Sequence, residues 1–156
     1  MISSTPLNRS AARLVLVVSE ERVETNPLYV RRDVTGDGVP ETWCNLFVHV
    51  VAQRIGCSLP PGLRANQQVA WLTSPEGRAA GWEQVPEHVA QRMADEGQLV
   101  VAGWYNRNGG SGHVGVVMPG LGDAGTHLAQ AGRSNFTRGS LAQGFGDPQP
   151  TFFAHA

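Results

Sequence analysis

The feature that most constrains the fold is a change of hydrophobic period partway along the chain. Trp43, Leu46, Phe47, Val50, Val51 and Ile55 recur at i, i+3, i+4 and i+7, the apolar stripe of an amphipathic helix. After Gln98 the pattern becomes short, β-rich apolar runs: "QLVVAGWY", "GHVGVVMPG", "THLAQAG" and "PTFFAHA". Glycine and proline break the chain between them. Helices come first and four strands follow. That order predicts an α+β fold, with an antiparallel sheet packed on the early helix. The 156 residues suit one domain spanning 1–156. A chain of that length buries roughly 70% of its unfolded surface and needs no covalent staple.

Residues 1–25 read as a leader followed by a strand or short helix. "NPLYVRRDVTGDGVPE" reads as loop, punctuated by Asn-Pro, Gly36 and Gly38. The helix is expected from Thr42 to Ile55, with Thr42 as N-cap and Gly56 as its stop. "SLPPGLRA" is a linker. "NQQVAWLTSPEGRAAGWEQVP" reads as a short helix and a loop carrying two tryptophans, and "EHVAQRMADEG" as a helix ending at Gly97. No internal repeat is visible.

Net charge is −1 and the twelve basic residues, all Arg, are scattered, which argues against a nucleic-acid or anionic-membrane partner. No segment is long enough to span a bilayer, so membrane insertion is not expected. The N-terminal "LVLVV" is shorter than a signal-peptide core and is followed by acidic residues. The chain therefore reads as made in the cytoplasm without its own signal. Cys44 and Cys57, on one helix, would lie about 20 Å apart, beyond disulfide reach. No close Cys/His pair offers a zinc site.

With Thr42 as N-cap, Cys44 is the second helical residue. Helix-start N–H groups lack intrahelical partners and the macrodipole is positive there, so a thiolate is favoured and its pKa is expected below about 8.5. The same N–H groups can bind a developing oxyanion. A nucleophilic thiol needs a base. His49 lies about 140° around the helix from Cys44 and groups with Asn45 and Gln53 on a polar, solvated stripe. His88 reads as exposed and His155 as structural or solvated. His113 follows the flexible "NRNGGSG" and opens an apolar strand, which places an imidazole at the rim of the sheet. Gln130, His127 or Asn135 would orient it as third residue. Trp71, Trp82 and Trp104 read as core or groove residues. Trp104 and Tyr105, just before the glycine loop, are the better groove candidates.

"DVTGDGVPE" resembles Asp-rich calcium loops of the EF-hand type. Asp33, Thr35, Asp37 and Glu41 take positions one, three, five and nine, and Gly38 takes six. Position twelve, normally a bidentate glutamate, is Cys44. The alternative is a tight turn closed by Asp and Thr side chains. Either way the loop would hold the helix start and aim the thiol.

"ETWCNLFV", "GQLVVAGWYNRNGGSGHVGVVMPG", "THLAQAGRSNF" and "PTFFAHA" together resemble the papain-like cysteine peptidoglycan hydrolases, the group holding the NlpC/P60 and CHAP amidases and endopeptidases. The resemblance runs from about Asp33 to the C-terminus, with an insertion around Pro60–Gln98. It implies a papain-like fold in which the nucleophile helix packs on a small antiparallel sheet. It implies Cys44 as nucleophile, His113 as base and Gln130 in the third position, where relatives carry His, Asn or Glu. Trp104, Tyr105 and Asn45 would bind substrate. The implied reaction is amide hydrolysis in the peptide stem of bacterial peptidoglycan, with no required cofactor. The setting would be a phage lysin or a delivered antibacterial effector acting on the wall or periplasm, with an inhibitor or immunity protein as partner. Two other readings stand beside it: a papain-like deamidase or protease toxin acting on protein, and a non-enzymatic binding module built on the calcium-type loop.

Overall fold

The computed structural model describes residues 10–120 and 125–156. The first nine residues of the expected leader lie outside the described residues. The next stretch is helix α1, Ala11–Glu21, capped by the Ser10 side chain. Its Leu14, Val17 and Val18 turn the "LVLVV" run into the buried face of a helix. A 3₁₀ turn, Pro27–Tyr29, and the loop 30–43 lead to α2, Cys44–Ile55. Gly56 ends α2 in the left-handed region at φ 91°, as its position in the sequence predicts.

Helices α3, Ala65–Thr73, and α4, Pro75–Ala79, precede strand β1, Trp82–Val85. Helix α5, Glu87–Asp95, precedes β2, Leu99–Trp104; β3, His113–Met118; and β4, His127–Gln130. Strand β5, Phe136–Ser140, helix α6, Leu141–Phe145, and β6, Thr151–His155, complete the chain. The six strands form one antiparallel sheet in the order β1-β6-β2-β3-β4-β5. The α+β expectation holds, and the four expected strands are β2, β3, β4 and β6.

The edge strands β1 and β5 correct the sequence reading, which had Trp82–Val85 as loop and gave no element to Phe136–Ser140. Their sequences, "WEQV" and "FTRGS", face solvent over much of their length, so neither carries a run of apolar residues. The central strands are apolar on both faces because both are covered. Leu99, Val101, Val114, Val116 and Phe153 pack toward α1, α2 and α3. Val100, Ala102, Val117, Leu128 and Phe152 pack toward α5 and α6. Burying Phe47, Val51 and Ile55 of α2 contributes about 1.5–3 kcal/mol per side chain, which seats that helix firmly on β3. Among the described residues no helix is long and apolar enough to cross a membrane.

Candidate active site

The start of α2 differs from the sequence expectation in one respect. Its N-cap is Trp43, not Thr42, and no side chain caps the helix, so Cys44 is the first helical residue. The Trp43 indole is fixed elsewhere, donating to the Val30 carbonyl at 3.0 Å with the Arg32 guanidinium 4.6 Å over its ring. Cys44 is 4% exposed. Burial pushes its thiol pKa up, and only in part do the N–H groups of Val114, Asn45 and Cys44 itself and the Thr42 side chain pull it down. The expectation of a lowered thiol pKa is therefore reversed: desolvation outweighs the helix terminus. Cys57 is also buried and free of any disulfide.

Of the three candidate partners for His113, Gln130 is the one the structure brings to it. His113 Nε2 lies 2.6 Å from Gln130 Oε1. The Gln130 amide is oriented from its other end, where Nε2 donates to the Ser134 carbonyl at 2.8 Å. Oε1 therefore faces the imidazole, so Nε2 of His113 carries the proton and Nδ1 is left as the basic nitrogen. The ring stands edge-on to Phe145, 4.9 Å between centroids. Burial lowers its pKa, partly offset by the Gln130 bond, so it is neutral at pH 7. Gly132 and Gly144 make room for the pair. A Cβ at Gly144 would lie 2.5 Å from Gln130 Oε1, and one at Gly132 3.1 Å from His113 Cε1.

Among the described residues no hydrogen bond joins Cys44 to His113. Val114 N–H acts on the thiol, but the His113 ring packs on Phe145 and Gln130, on the sheet face opposite the one that buries Val114 and Cys44, so the two side chains do not meet. The other third-residue candidates are placed elsewhere. His127 pairs with Met118 and Ser140 at the far end of β4. Asn135 donates to the carbonyls of Val23 and Tyr29 and accepts from Gly132 N–H, tying the turn after β4 to the segment after α1.

The loop that delivers His113 is clamped from α3 by Asn66, a residue the sequence does not single out. Asn66 Oδ1 accepts from Asn106 N–H at 2.8 Å, and Nδ2 donates to the Gly110 carbonyl at 3.1 Å. Gly112 is required beneath this clamp, since a Cβ there would sit 2.3 Å from Asn66 Oδ1 and 2.5 Å from the Trp104 carbonyl.

Of the expected substrate-binding residues, Trp104 and Tyr105 line a cleft of about 930 Å³. Asn45 does not. Its Nδ2 donates to the Leu63 carbonyl at 2.8 Å, and its own carbonyl accepts from the buried Gln68 at 2.9 Å. His49 likewise turns to the linker, 2.8 Å from the Leu59 carbonyl, so the polar stripe of α2 faces protein and not water there. The side chain packs there because the "SLPPGLRA" linker folds back along the helix. Trp82 is core and donates to the Ser58 carbonyl at 2.7 Å.

The loop before α2 is organised by its own acids. Asp33 accepts from the N–H groups of Gly38 and Gly36 at 2.8 Å and of Thr35 at 3.1 Å, which lowers its pKa. Glu41 accepts from Val34 N–H at 2.8 Å and from the Thr35 hydroxyl at 3.1 Å. Asp33, Asp37 and Glu41 each offer one oxygen, all within 4.8 Å of one another, so this exposed triad can hold a metal ion. Cys44, at the twelfth position, is buried at the helix start and supplies no oxygen. No protein-family model matches the chain, and no curated protein matches it.

Proposed function

We propose that the protein is a cysteine hydrolase of papain-like type, with Cys44 as nucleophile, His113 as base and Gln130 as the residue that sets the imidazole. The observation that carries this reading is the 2.6 Å His113–Gln130 bond, which leaves Nδ1 basic at the strand end next to Val114. The resting pair is a neutral thiol and a neutral imidazole, because burial disfavours both charged forms. For the thiol proton to pass to His113 Nδ1, the imidazole has to leave the Phe145 side of the sheet and swing round the start of β3 to the Cys44 side. The sulfur attacks the amide carbonyl, and helix-start N–H groups receive the oxyanion. His113 then protonates the leaving amine. Water, deprotonated by His113, cleaves the thioester and regenerates the thiol.

The substrate we assign is the peptide stem of bacterial peptidoglycan, on the resemblance carried by the Cys44 and His113 segments. The protein would then meet the wall as a lysin or delivered effector. A calcium ion at Asp33, Asp37 and Glu41 belongs to the same proposal. Calcium takes six to eight oxygens, so backbone carbonyls and water would complete its shell. Its role is to stiffen the approach to α2.

The test is digestion of purified peptidoglycan by wild type and by Cys44→Ala, with fragments identified by mass spectrometry. New termini from wild type alone are expected, and their masses name the bond. The burial of Cys44 favours a second reading, in which the thiol is core and the protein is a binding module. That reading requires Cys44→Ala to keep every activity of the wild type.

A further inference from the structure

Antiparallel pairing brings the C-terminal end of β2, the N-terminal end of β3 and the N-terminal end of β6 to the same end of the sheet. The register is Trp104 opposite His113 and Gly103 opposite Thr151. His113 therefore has Trp104 as its direct cross-strand neighbour on the α5/α6 face, and the cleft of about 930 Å³, which Trp104 also lines, opens on the other face between α3, β1 and β6. Its floor is apolar, from Val69 and Phe153. It exists because Gly103 has no side chain: a Cβ there would reach 2.7 Å from Val69 Cγ2. Its polar rim carries the side-chain amides of Gln84, Asn108 and Gln149.

Among the described residues that line this cleft, Arg107 is the one charged group, the Tyr105 phenol is the other ionisable one, and none is a carboxylate. Among the described residues the only side-chain ion pairs are those of Arg54, so the Arg107 guanidinium has no acidic partner. It lies 6.0 Å from the centroid of the Tyr105 ring, which holds it over the cleft wall. The segment that carries it is held in place by Asn66 and by Asn106, whose side chain bonds Ser111 and Asn108. An unpaired guanidinium on a pinned segment, with amides beside it and an aromatic wall, matches a peptide that bears a free carboxylate.

We propose that this cleft is the specificity subsite for a carboxylate-bearing peptide, with Arg107 receiving the carboxylate and the Tyr105 ring and the rim amides lying along the chain. The identity of the peptide as wall stem rests on the hydrolase reading above; the carboxylate preference does not. The cleft selects acidic over amidated peptides, since the same peptide without its charge leaves Arg107 unpaired.

The experiment separates the two. Soluble stem peptides released from purified peptidoglycan, and the same peptides with their carboxylates converted to methylamides, are titrated calorimetrically into Cys44→Ala protein. The titration is repeated with Cys44→Ala/Arg107→Gln, and with Cys44→Ala/Arg92→Gln as a control on the far helix α5. The expected result is about tenfold weaker binding of the acidic peptides after Arg107→Gln. Methylamidation should cost a similar factor in the parent and nothing further in the Arg107 variant. Arg92→Gln should change nothing. Equal binding of acidic and amidated peptides, an Arg107→Gln effect on both alike, or no binding of either overturns the proposal. In parallel, wild type and Arg107→Gln, both retaining Cys44, are compared in wall digestion. Cleavage without any Arg107 effect keeps the hydrolase and removes the subsite. Charge-dependent binding without cleavage keeps the subsite and removes the hydrolase.

Discussion

Two loops lead to the two groups proposed to react, Cys44 and His113, and they are held in opposite ways. The loop ahead of Cys44 is held from within, by the carboxylates of Asp33 and Glu41 accepting backbone N–H groups a few residues away. The loop ahead of His113 is held from outside, by the neutral amide of Asn66 reaching from α3, forty residues back in the chain. The first is exposed and charged, and its strength depends on protonation and salt. The Asn66 clamp on the second is uncharged, so its bonds are indifferent to both, although the loop itself carries Arg107. The bonds that hold the loop before Cys44 thus respond to the medium, and the clamp on the loop before His113 does not.

The largest effect is expected where the outer clamp leaves no room. Gly112→Ala should cost about 1–3 kcal/mol, because its Cβ meets the Trp104 backbone carbonyl as well as Asn66 and the strand start must shift. Chemical denaturation measures the loss, and wall digestion should fall with it as His113 is displaced. An unchanged midpoint would mean that the clamp is loose. Asn66→Ala should follow at about 1–2 kcal/mol, leaving Asn106 N–H and the Gly110 carbonyl without their partner. Its denaturation midpoint should be insensitive to ionic strength, and salt sensitivity there would break the contrast.

Asp33→Ala should have the smaller effect on the other loop, and its loss should depend on salt. Calcium should raise the thermal midpoint of wild type and leave this variant unmoved, while equal shifts would remove the metal from the account. The finest distinction is in pH. The His113 pKa is lowered in the folded protein, so its contribution is present above the ordinary histidine value of about 6.5 and is lost as pH falls through the folded pKa. The Cys44 pKa is raised, so its contribution is present below the ordinary thiol value of about 8.5 and is lost as pH rises through the folded pKa. Stability should decline on both sides of that window. Gln130→Glu should move the acid limb of activity to higher pH, because a carboxylate beside His113 favours imidazolium. A pH–rate profile with an unmoved limb would show that Gln130 does not face the working imidazole.

The same contrast separates what the sequence discloses from what it conceals. The Asp33 loop is legible because its bonds join residues two to seven positions apart, within reach of turn chemistry. The His113 loop is legible only as a glycine-rich stretch. Nothing near Asn66 marks it as a clamp, because its partners lie forty residues on. Asn45 and His49 mislead for a related reason. Polar residues on an amphipathic helix predict a wet face, but the chain of residues 57–64 folds over them and offers its carbonyls.

The sequence by itself determined the local periods: the α2 stripe stopped by Gly56 and the continuous apolar runs of the central strands. These follow from residues a few positions apart, where helix and strand geometry dictate which side chains share a face. Only the tertiary structure decided the edge strands, the Asn66 clamp, the cleft below Arg107 and the charge state of Cys44. A helix N-terminus favours a thiolate in any sequence. Whether that preference survives depends on how much water the thiol keeps once β3 packs against it, and in this protein burial prevails.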